Sequence, residues 1–227
     1  MFAGINEDQL IKRLSLTARE EGIFEWTRKK GMAYRRLMSY YRCAIKEVET
    51  KFRVLDEEYS LMNDRNPISG IKSRLKSLPS IVEKLERRNI ELSVESIEEN
   101  LYDVAGIRVI CSFVQDVYKL AEALLKQDDV TLICVKDYIK HPKENGYRSL
   151  HLIIEIPIFL EKEKKMMKVE IQLRTIAMDC WASLEHQLRY KKSTEFTEEM
   201  QAALLNCAKI STELDREMDL LREEANI

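Results

Sequence analysis

Glycine, proline and long apolar runs are all scarce in this chain. Only 6 glycines and 4 prolines occur among 227 residues, so we expect long regular elements joined by short loops. No run of about 18 consecutive apolar residues is present, and no signal-peptide pattern opens the sequence. These absences favour a cytoplasmic protein that does not enter the membrane.

Common motifs of nucleotide and metal enzymes are missing as well. There is no GxxxxGK followed by Ser or Thr, which excludes a P-loop, and there is neither a GxGxxG nor an HExxH sequence. The His-Asp and acidic pairs of a metal phosphohydrolase are also absent. The net charge of −2 argues against a general DNA- or RNA-binding protein.

The cysteines form no CxxC pair, and most of them lie in apolar runs. This spacing indicates buried free thiols in a reducing compartment, and not a disulfide framework or a zinc site. The five residues are Cys43, Cys111, Cys134, Cys180 and Cys207.

The first third of the chain has helical periodicity. Residues 1–30 are predicted to form a charged, partly helical N-terminal extension. Apolar residues at three- and four-residue spacing predict a helix over 33–61, which ends at Asn66-Pro67. A basic connector is expected over 67–78, followed by a helix capped by Ser80 with Glu83 at the capping-box position, and by a short helix from Ser93 to Asn100.

The remainder alternates strands and helices, so we expect an α+β fold. The predicted strands are 106–113, 130–135, 149–156 and 166–173, and the last two form a hairpin. The predicted helices are 116–126, 176–190 and 197–225. Residues 31–227 would therefore form one domain, a mixed β-sheet flanked by helices with a C-terminal oligomerisation helix. Helices 33–61 and 197–225 carry more apolar surface than one small sheet covers, which favours a homo-oligomer.

Seven basic residues crowd the segment from 65 to 88, against two acidic ones. Several cations on two sides can neutralise a polyphosphate, although a solvated helix face would have the same composition. The seven are Arg65, Lys72, Arg74, Lys76, Lys84, Arg87 and Arg88.

A carboxylate and an arginine flank the glycine turn of DVAGIR. Asp103 is a hard oxygen ligand suited to Mg²⁺, and Arg108 is suited to a phosphate or a base. A turn-forming aspartate with a structural ion pair would also explain the motif.

The segment NGYRSLH forms a turn and starts a strand. Tyr147 is displayed where it can stack on a nucleobase, and His151 follows on the strand. A strand-edge histidine is more often a hydrogen-bonded structural residue than a catalyst.

Strict alternation in KVEIQLRT places Lys168, Glu170, Gln172 and Arg174 on one strand face. Glu170 and Asp103 together would supply the two carboxylates of a magnesium phosphoryl-transfer site, and Glu170 could accept a proton from a sugar hydroxyl. The alternative for Glu170 is a salt bridge to Lys168 or Arg174.

The helix that begins at 176 has two faces. Trp181 belongs to its apolar stripe and is expected in the core. Asp179 lies on the opposite face, where it would meet solvent or a ligand such as a guanine edge.

Taken in order, four segments resemble the RelA/SpoT-type (p)ppGpp synthetase domain and, more narrowly, the small alarmone synthetases of the RelP (YwaC-like) branch. They are KSRLKS, DVAGIRVICSF, VKDYIKHPKENGYRSLHLIIE and VEIQLRTIAMDCWASLEH. The resemblance covers about residues 30 to 225. It implies a nucleotidyltransferase-like fold, pyrophosphate transfer from ATP to the 3′-OH of GDP or GTP, no hydrolase domain, and a homotetramer.

The resemblance also implies roles for individual residues. The ATP side would comprise Arg74, Lys76, Lys84, Arg87 and Arg108. Asp103 and Glu170 would hold Mg²⁺ and act in catalysis. The GDP or GTP side would comprise Lys143, Tyr147, His151, Gln172 and Asp179. The competing hypothesis is a catalytically inactive nucleotide- or RNA-binding regulatory module.

Overall fold

The computed structural model describes residues 7–63, 65–190 and 197–225. Residues 1–6 of the predicted extension, and residues 64, 191–196 and 226–227 of the predicted domain, lie outside the described residues. No helix in the described part of the chain is long and apolar enough to cross a membrane.

Within the described ranges, five strands and six helices form an α+β fold, as predicted from the sequence. The helices are α1 (Glu7–Asn63), α2 (Leu78–Glu86), α3 (Val94–Asn100), α4 (Val114–Leu125), α5 (Ile176–Tyr190) and α6 (Glu198–Ala225). The strands are β1 (Ile68–Leu75), β2 (Ala105–Cys111), β3 (Thr131–Asp137), β4 (Leu150–Phe159) and β5 (Lys164–Thr175).

The strands form one mixed sheet in the order β1-β2-β5-β4-β3. Strands β2 and β5 are parallel, whereas the other neighbours are antiparallel. In β5, Met167, Val169, Ile171 and Leu173 point to one face and are buried, because α1 and α4 pack against the sheet. The polar residues of β5 therefore share the opposite face, as the alternation predicts.

Two predictions near residue 75 were wrong. The expected basic connector is the edge strand β1, antiparallel to β2. Its signal was weak because the strand pairs on one side only and exposes charged residues, as edge strands commonly do. Ser77, and not Ser80, caps α2: its side chain accepts a hydrogen bond from the Ser80 backbone N–H, and Pro79 occupies the first turn, where proline is favoured.

The buried surface differs from the prediction in two further respects. Helix α1 runs unbroken through position 30. Its stripe from Leu37 to Leu55 is buried against the sheet, whereas Val54 and Leu61 of the same helix are exposed. The cysteines are free, but only Cys111 is buried, while Cys180 and Cys207 are exposed.

Candidate functional site

A row of polar side chains crosses the whole sheet on the face opposite α1. Each member lies directly across from the next in the strand register, so the five strands contribute one residue each. In the order of the strands they are Lys72, Arg108, Gln172, His151 and Lys136. Only folding brings these positions together, since they are spread over 100 residues. The row spans the predicted ATP and GDP sides.

A second row lies one pleat away and contains Arg74, Gly106 and Glu170. Gly106 places no side chain between the two charged residues. A β-carbon at this position would contact Arg74 Cγ at 3.4 Å. A groove of about 150 Å³ opens here between β1 and β2, lined by Arg74, Arg108 and Gln172 among others. Arg74 and Arg108 are both predicted for the ATP side, so the groove lies within that part of the site.

Asp103 sits in a lysine cradle just before β2. Its Oδ2 atom accepts hydrogen bonds from Lys76 Nζ at 2.9 Å and from Lys84 Nζ at 2.7 Å. Burial acts to raise the pKa of the Asp103 carboxyl, but the two lysines outweigh it and hold the pKa below its ordinary value. Asp103 is therefore an anion at neutral pH. The ion pair is the structural alternative that the sequence left open for Asp103, and the predicted role as a Mg²⁺ ligand stays a prediction.

Glu170 lies in the central strand and is contacted from β4 and from its own strand. Gln172 Nε2 donates to Oε2 at 2.9 Å, and His151 Nδ1 lies 3.6 Å from Oε1. Burial acts to raise the pKa of Glu170, and the charge of Asp103 adds to this. His151 and Gln172 nevertheless hold the pKa below the usual glutamate value.

The predicted alternative for Glu170, a salt bridge along its strand, is not formed. Lys168 instead donates to the backbone carbonyls of Glu98 and Glu99. Arg174 contacts Gln172 and Asp179.

Asp179 was predicted to face solvent or a ligand, but it is buried among three cations. It accepts from Arg108 Nη1 at 3.0 Å, Lys72 Nζ at 3.2 Å and Arg174 Nη1 at 3.3 Å. Burial acts to raise the pKa of Asp179, and the cations lower it below its ordinary value. Asp179 thus joins β1, β2 and β5 at the start of α5.

The loop from Tyr138 to Ser149, here called the acceptor loop, carries Lys143 and Tyr147. Lys143 Nζ lies 4.9 Å from the centre of the Tyr147 ring. The Tyr147 hydroxyl lies 2.8 Å from His151 Nε2, which ties the predicted base-stacking residue to the sheet. A cleft of about 970 Å³ separates this loop from α5 and α6. It is large enough for a nucleotide.

The acceptor loop is fixed to α6 by a close approach and a buried ion pair. Gly146 has φ +86, and a β-carbon there would collide with Ala208 of α6. Arg148, which follows Tyr147, donates to Asp215 of α6 at 2.8 Å. Both charged residues are buried.

Most of the predicted site residues lie on this one face or beside it. Arg87 is exposed at the C-cap of α2 and lies one turn beyond Lys84. Sequence reasoning did not select Lys136 or assign a role to Arg174. The alternation of β5 already placed Arg174 beside Glu170, whereas Lys136 required the register of β3 with β4.

The residues around Asp103 fit a magnesium ion. Its Oδ1 atom is buried without a hydrogen-bond partner, which leaves one hard oxygen ligand free. Glu170 is near enough for the charge of Asp103 to influence its pKa. Mg²⁺ commonly uses one or two carboxylates together with substrate phosphates, and two carboxylates stand here beside a basic groove.

Comparison with known proteins gave one family match over residues 73–195, to the region found in RelA and SpoT proteins. The chain is 44% identical over 186 residues to the GTP pyrophosphokinase YwaC of Bacillus subtilis, covering 82% of this chain and 89% of that protein. It is 36% identical over 191 residues to the GTP pyrophosphokinase YjbM of the same organism, covering 84% and 89%.

Solved structures gave matches of the same kind. The small alarmone synthetase 2 of Bacillus subtilis superposes with a TM-score of 0.76 at 42% identity, covering 84% of this chain and 98% of that one. The small alarmone synthetase 1 of Bacillus subtilis, bound to its product pppGpp, superposes with a TM-score of 0.77 at 36% identity, covering 85% and 97%.

Proposed function

The chain belongs to the RelA/SpoT family, and we propose that it is a (p)ppGpp synthetase that transfers the pyrophosphate group of ATP to the 3′-OH of GDP or GTP. The observation that carries this proposal is the layout of the polar face. Glu170 lies on the central strand, with Arg74 and Arg108 on one side and His151 on the other. A donor phosphate and an acceptor hydroxyl can therefore approach one carboxylate from two sides.

On the donor side, cations would hold the ATP phosphates. Lys76 and Lys84 already surround Asp103, and Arg74 and Arg108 line the adjoining groove. Arg87 extends this surface one turn further along α2. Guanidinium and ammonium groups neutralise phosphate oxygens and would stabilise the charge that develops during transfer. Mg²⁺ held by Asp103 and Glu170 would add positive charge at the same oxygens.

On the acceptor side, Tyr147 would stack on guanine, with Lys143 and His151 near the acceptor phosphates. Gln172 and Asp179 would complete the site. Lys136 adds a cation beside His151 and is a further candidate for these phosphates.

The acceptor 3′-oxygen would attack the β-phosphorus of ATP in line. The bond from the β-phosphorus to the oxygen it shares with the α-phosphate breaks, and AMP leaves with that oxygen. Glu170 would take the hydroxyl proton. Because its pKa is lowered, Glu170 is a weak base, so positioning and charge stabilisation would supply most of the acceleration.

The direct test is incubation of purified protein with ATP, GDP and Mg²⁺, with nucleotides separated by anion exchange. We expect equal amounts of AMP and a guanosine tetraphosphate, and at least a 100-fold loss of rate in Glu170→Gln. Glu98→Gln is a matched control that should keep the wild-type rate. Glu98 belongs to α3 and forms an ion pair with Lys165 of β5, away from Glu170. Tight nucleotide binding without AMP formation would instead support an inactive binding module.

Synthesis without hydrolysis is also proposed, because the two relatives that this chain matches over 89% of their length are named GTP pyrophosphokinases. Degradation of added (p)ppGpp by the purified protein would contradict this part of the proposal.

Finally, we propose a cytoplasmic homotetramer. Substrate nucleotides and free thiols are both typical of the cytoplasm. Helices α5 and α6 expose an apolar face formed by Leu184, Leu188, Ile210, Leu214, Met218 and Leu221. Faces of this kind mark protein–protein contacts.

A further inference from the structure

Arg174 lies near the end of β5 and is only 4% exposed, although it carries a permanent charge. Its guanidinium donates to the Tyr147 hydroxyl, to Gln172 Oε1 at 3.0 Å and to Asp179 Oδ1 at 3.3 Å. It also lies 5.0 Å from the centre of the Tyr147 ring. All three partners belong to the proposed acceptor side.

Burying a charged group is costly unless its hydrogen bonds are satisfied, and an apolar residue of similar size would fill the same space. An arginine offers a planar fork whose donors point in fixed directions. A lysine has no such fork. The two Nη groups of Arg174 make directed hydrogen bonds to three side chains, while its buried Nε has no partner within the described residues.

The first hydrogen-bond chain runs through Tyr147 and His151. Arginine can only donate, so the Tyr147 hydroxyl accepts from Arg174 and keeps its own proton to give. The recipient in reach is His151 Nε2, at 2.8 Å. A neutral His151 then carries its proton on Nδ1, which faces Glu170 Oε1 at 3.6 Å.

The second chain runs through Gln172. Its Oε1 atom accepts from Arg174, which fixes which end of the amide faces each neighbour. Its Nε2 atom then donates to Glu170 Oε2 at 2.9 Å. Both chains start at one guanidinium. The second ends in a hydrogen bond to Glu170 Oε2, and the first ends at His151, whose Nδ1 lies 3.6 Å from Glu170 Oε1.

We infer that Arg174 is a positioning residue for the acceptor side: it sets the direction of both chains and thereby holds Tyr147, His151 and Gln172 in their working orientations around Glu170. The kinetic part of this inference rests on the proposed function. The hydrogen-bond direction does not, because it concerns the protein without substrates.

The direction of the first chain can be read from the tautomer of His151. Long-range ¹H–¹⁵N spectra of the unliganded protein distinguish a protonated from a bare ring nitrogen. The chain has 3 histidines, and the signals missing from a His151→Gln variant identify His151. We expect a protonated Nδ1 and a bare Nε2.

Removing the Tyr147 hydroxyl should release this constraint. In Tyr147→Phe, we expect a population protonated at Nε2 to appear. Tyr138→Phe is the matched control, because the Tyr138 ring packs edge-on against both Tyr147 and His151, yet its hydroxyl takes no part in the chain. A wild-type His151 protonated at Nε2, or at both nitrogens, would overturn the inference.

Kinetics test the consequence for substrates. Arg174→Lys keeps the charge but loses the fork, so we expect the KM for GDP to rise about tenfold, as for one lost charge-assisted hydrogen bond, while the KM for ATP stays within about twofold. Arg65→Lys, at an arginine that pairs with the buried carboxylate of Asp116 outside the acceptor loop, should lower Tm without this split. In the double variant, the Arg174→Lys and Tyr147→Phe effects on the GDP KM should combine to less than their sum, because both substitutions break the same hydrogen-bond chain.

The outcomes separate the two hypotheses. A wild type that forms no tetraphosphate product but shows the Nδ1 tautomer contradicts the proposed function and supports the hydrogen-bond direction. An active wild type in which Arg174→Lys raises both KM values equally, or in which the two substitutions add fully, contradicts the positioning role.

Discussion

Asp103 and Glu170 are both anionic at neutral pH, but for different reasons. Asp103 is neutralised by Lys76 and Lys84 through one oxygen, whereas Glu170 is held by His151 and Gln172. Asp103 thus has a cationic environment, which suits the proposed binding of the ATP phosphates, and Glu170 has a polar one between the two proposed substrate sides.

Removing one cradle cation should affect the donor alone. In Lys84→Met, we expect the KM for ATP to rise about 10- to 100-fold, because a hydrogen bond to a charged group contributes about 1.5–3 kcal/mol. The KM for GDP should remain within about twofold. Steady-state kinetics with each substrate varied in turn measures both values.

Lys119→Met is the matched control for this substitution. Lys119 is exposed on α4, so neither KM should change. An unaltered ATP KM in Lys84→Met would remove Lys84 from the donor side.

The lowered pKa of Asp103 predicts how stability depends on pH. A folded-state pKa below the unfolded value of about 3.9 stabilises the fold above that pH, and the contribution is lost as the pH falls through the folded-state pKa. Asp103→Asn should therefore be less stable than the wild type at pH 7, and the difference should shrink below about pH 4. Urea unfolding across this range measures it; a difference independent of pH would contradict the assigned ion pairs.

At the scale of elements, the strand register decides the site. The alternation of β5 predicted which of its residues share a face, and the structure agrees. The sequence could not place Lys136 beside His151 or Arg74 beside Gly106, because register arises from pairing between distant strands. Strand β1 was missed because it lies at an exposed edge of the sheet and carries charged residues. It therefore lacks the alternation of buried apolar residues that predicts a strand.

The packing of the acceptor loop on α6 is tested at Gly146. Gly146→Ala places a β-carbon against Ala208 at a positive φ, so we expect a loss of at least about 1–2 kcal/mol in the free energy of unfolding. The GDP KM should rise as well, since Tyr147 is the next residue. Chemical denaturation and kinetics measure the two effects.

A second substitution separates the two causes. Ala208→Gly in the Gly146→Ala background removes the collision but leaves the backbone strain, and so should restore part of the stability. Gly70→Ala is the control, because no atom lies within 4 Å of a β-carbon there. A fully stable Gly146→Ala variant would mean that α6 does not pack on the loop as described.

At the scale of the whole molecule, α6 connects the acceptor loop with the exposed apolar face. We expect the measured mass of the wild type to be a multiple of 26.7 kDa. Leu214→Glu should lower this mass towards that of the monomer, since a charge in an apolar interface is costly. Size exclusion with light scattering measures the mass. Phe159→Glu, at the tip of the β4–β5 hairpin and 73% exposed, should leave it unchanged.

A monomeric wild type would contradict the proposed assembly without affecting the chemistry, because the described site lies within one chain. The two rows, the lysine cradle and the acceptor loop all come from a single sheet and its flanking helices. Activity and assembly are therefore separable in principle.

Transfer of an intact pyrophosphate group can be followed through the γ-phosphate of ATP. With ATP labelled at that position, GDP and Mg²⁺, we expect the label in a guanosine tetraphosphate together with an equal amount of AMP. Label in a guanosine product accompanied by ADP would indicate single-phosphate transfer, and label in free phosphate or pyrophosphate would indicate hydrolysis. Either result would rule out transfer of an intact pyrophosphate group to the guanosine nucleotide.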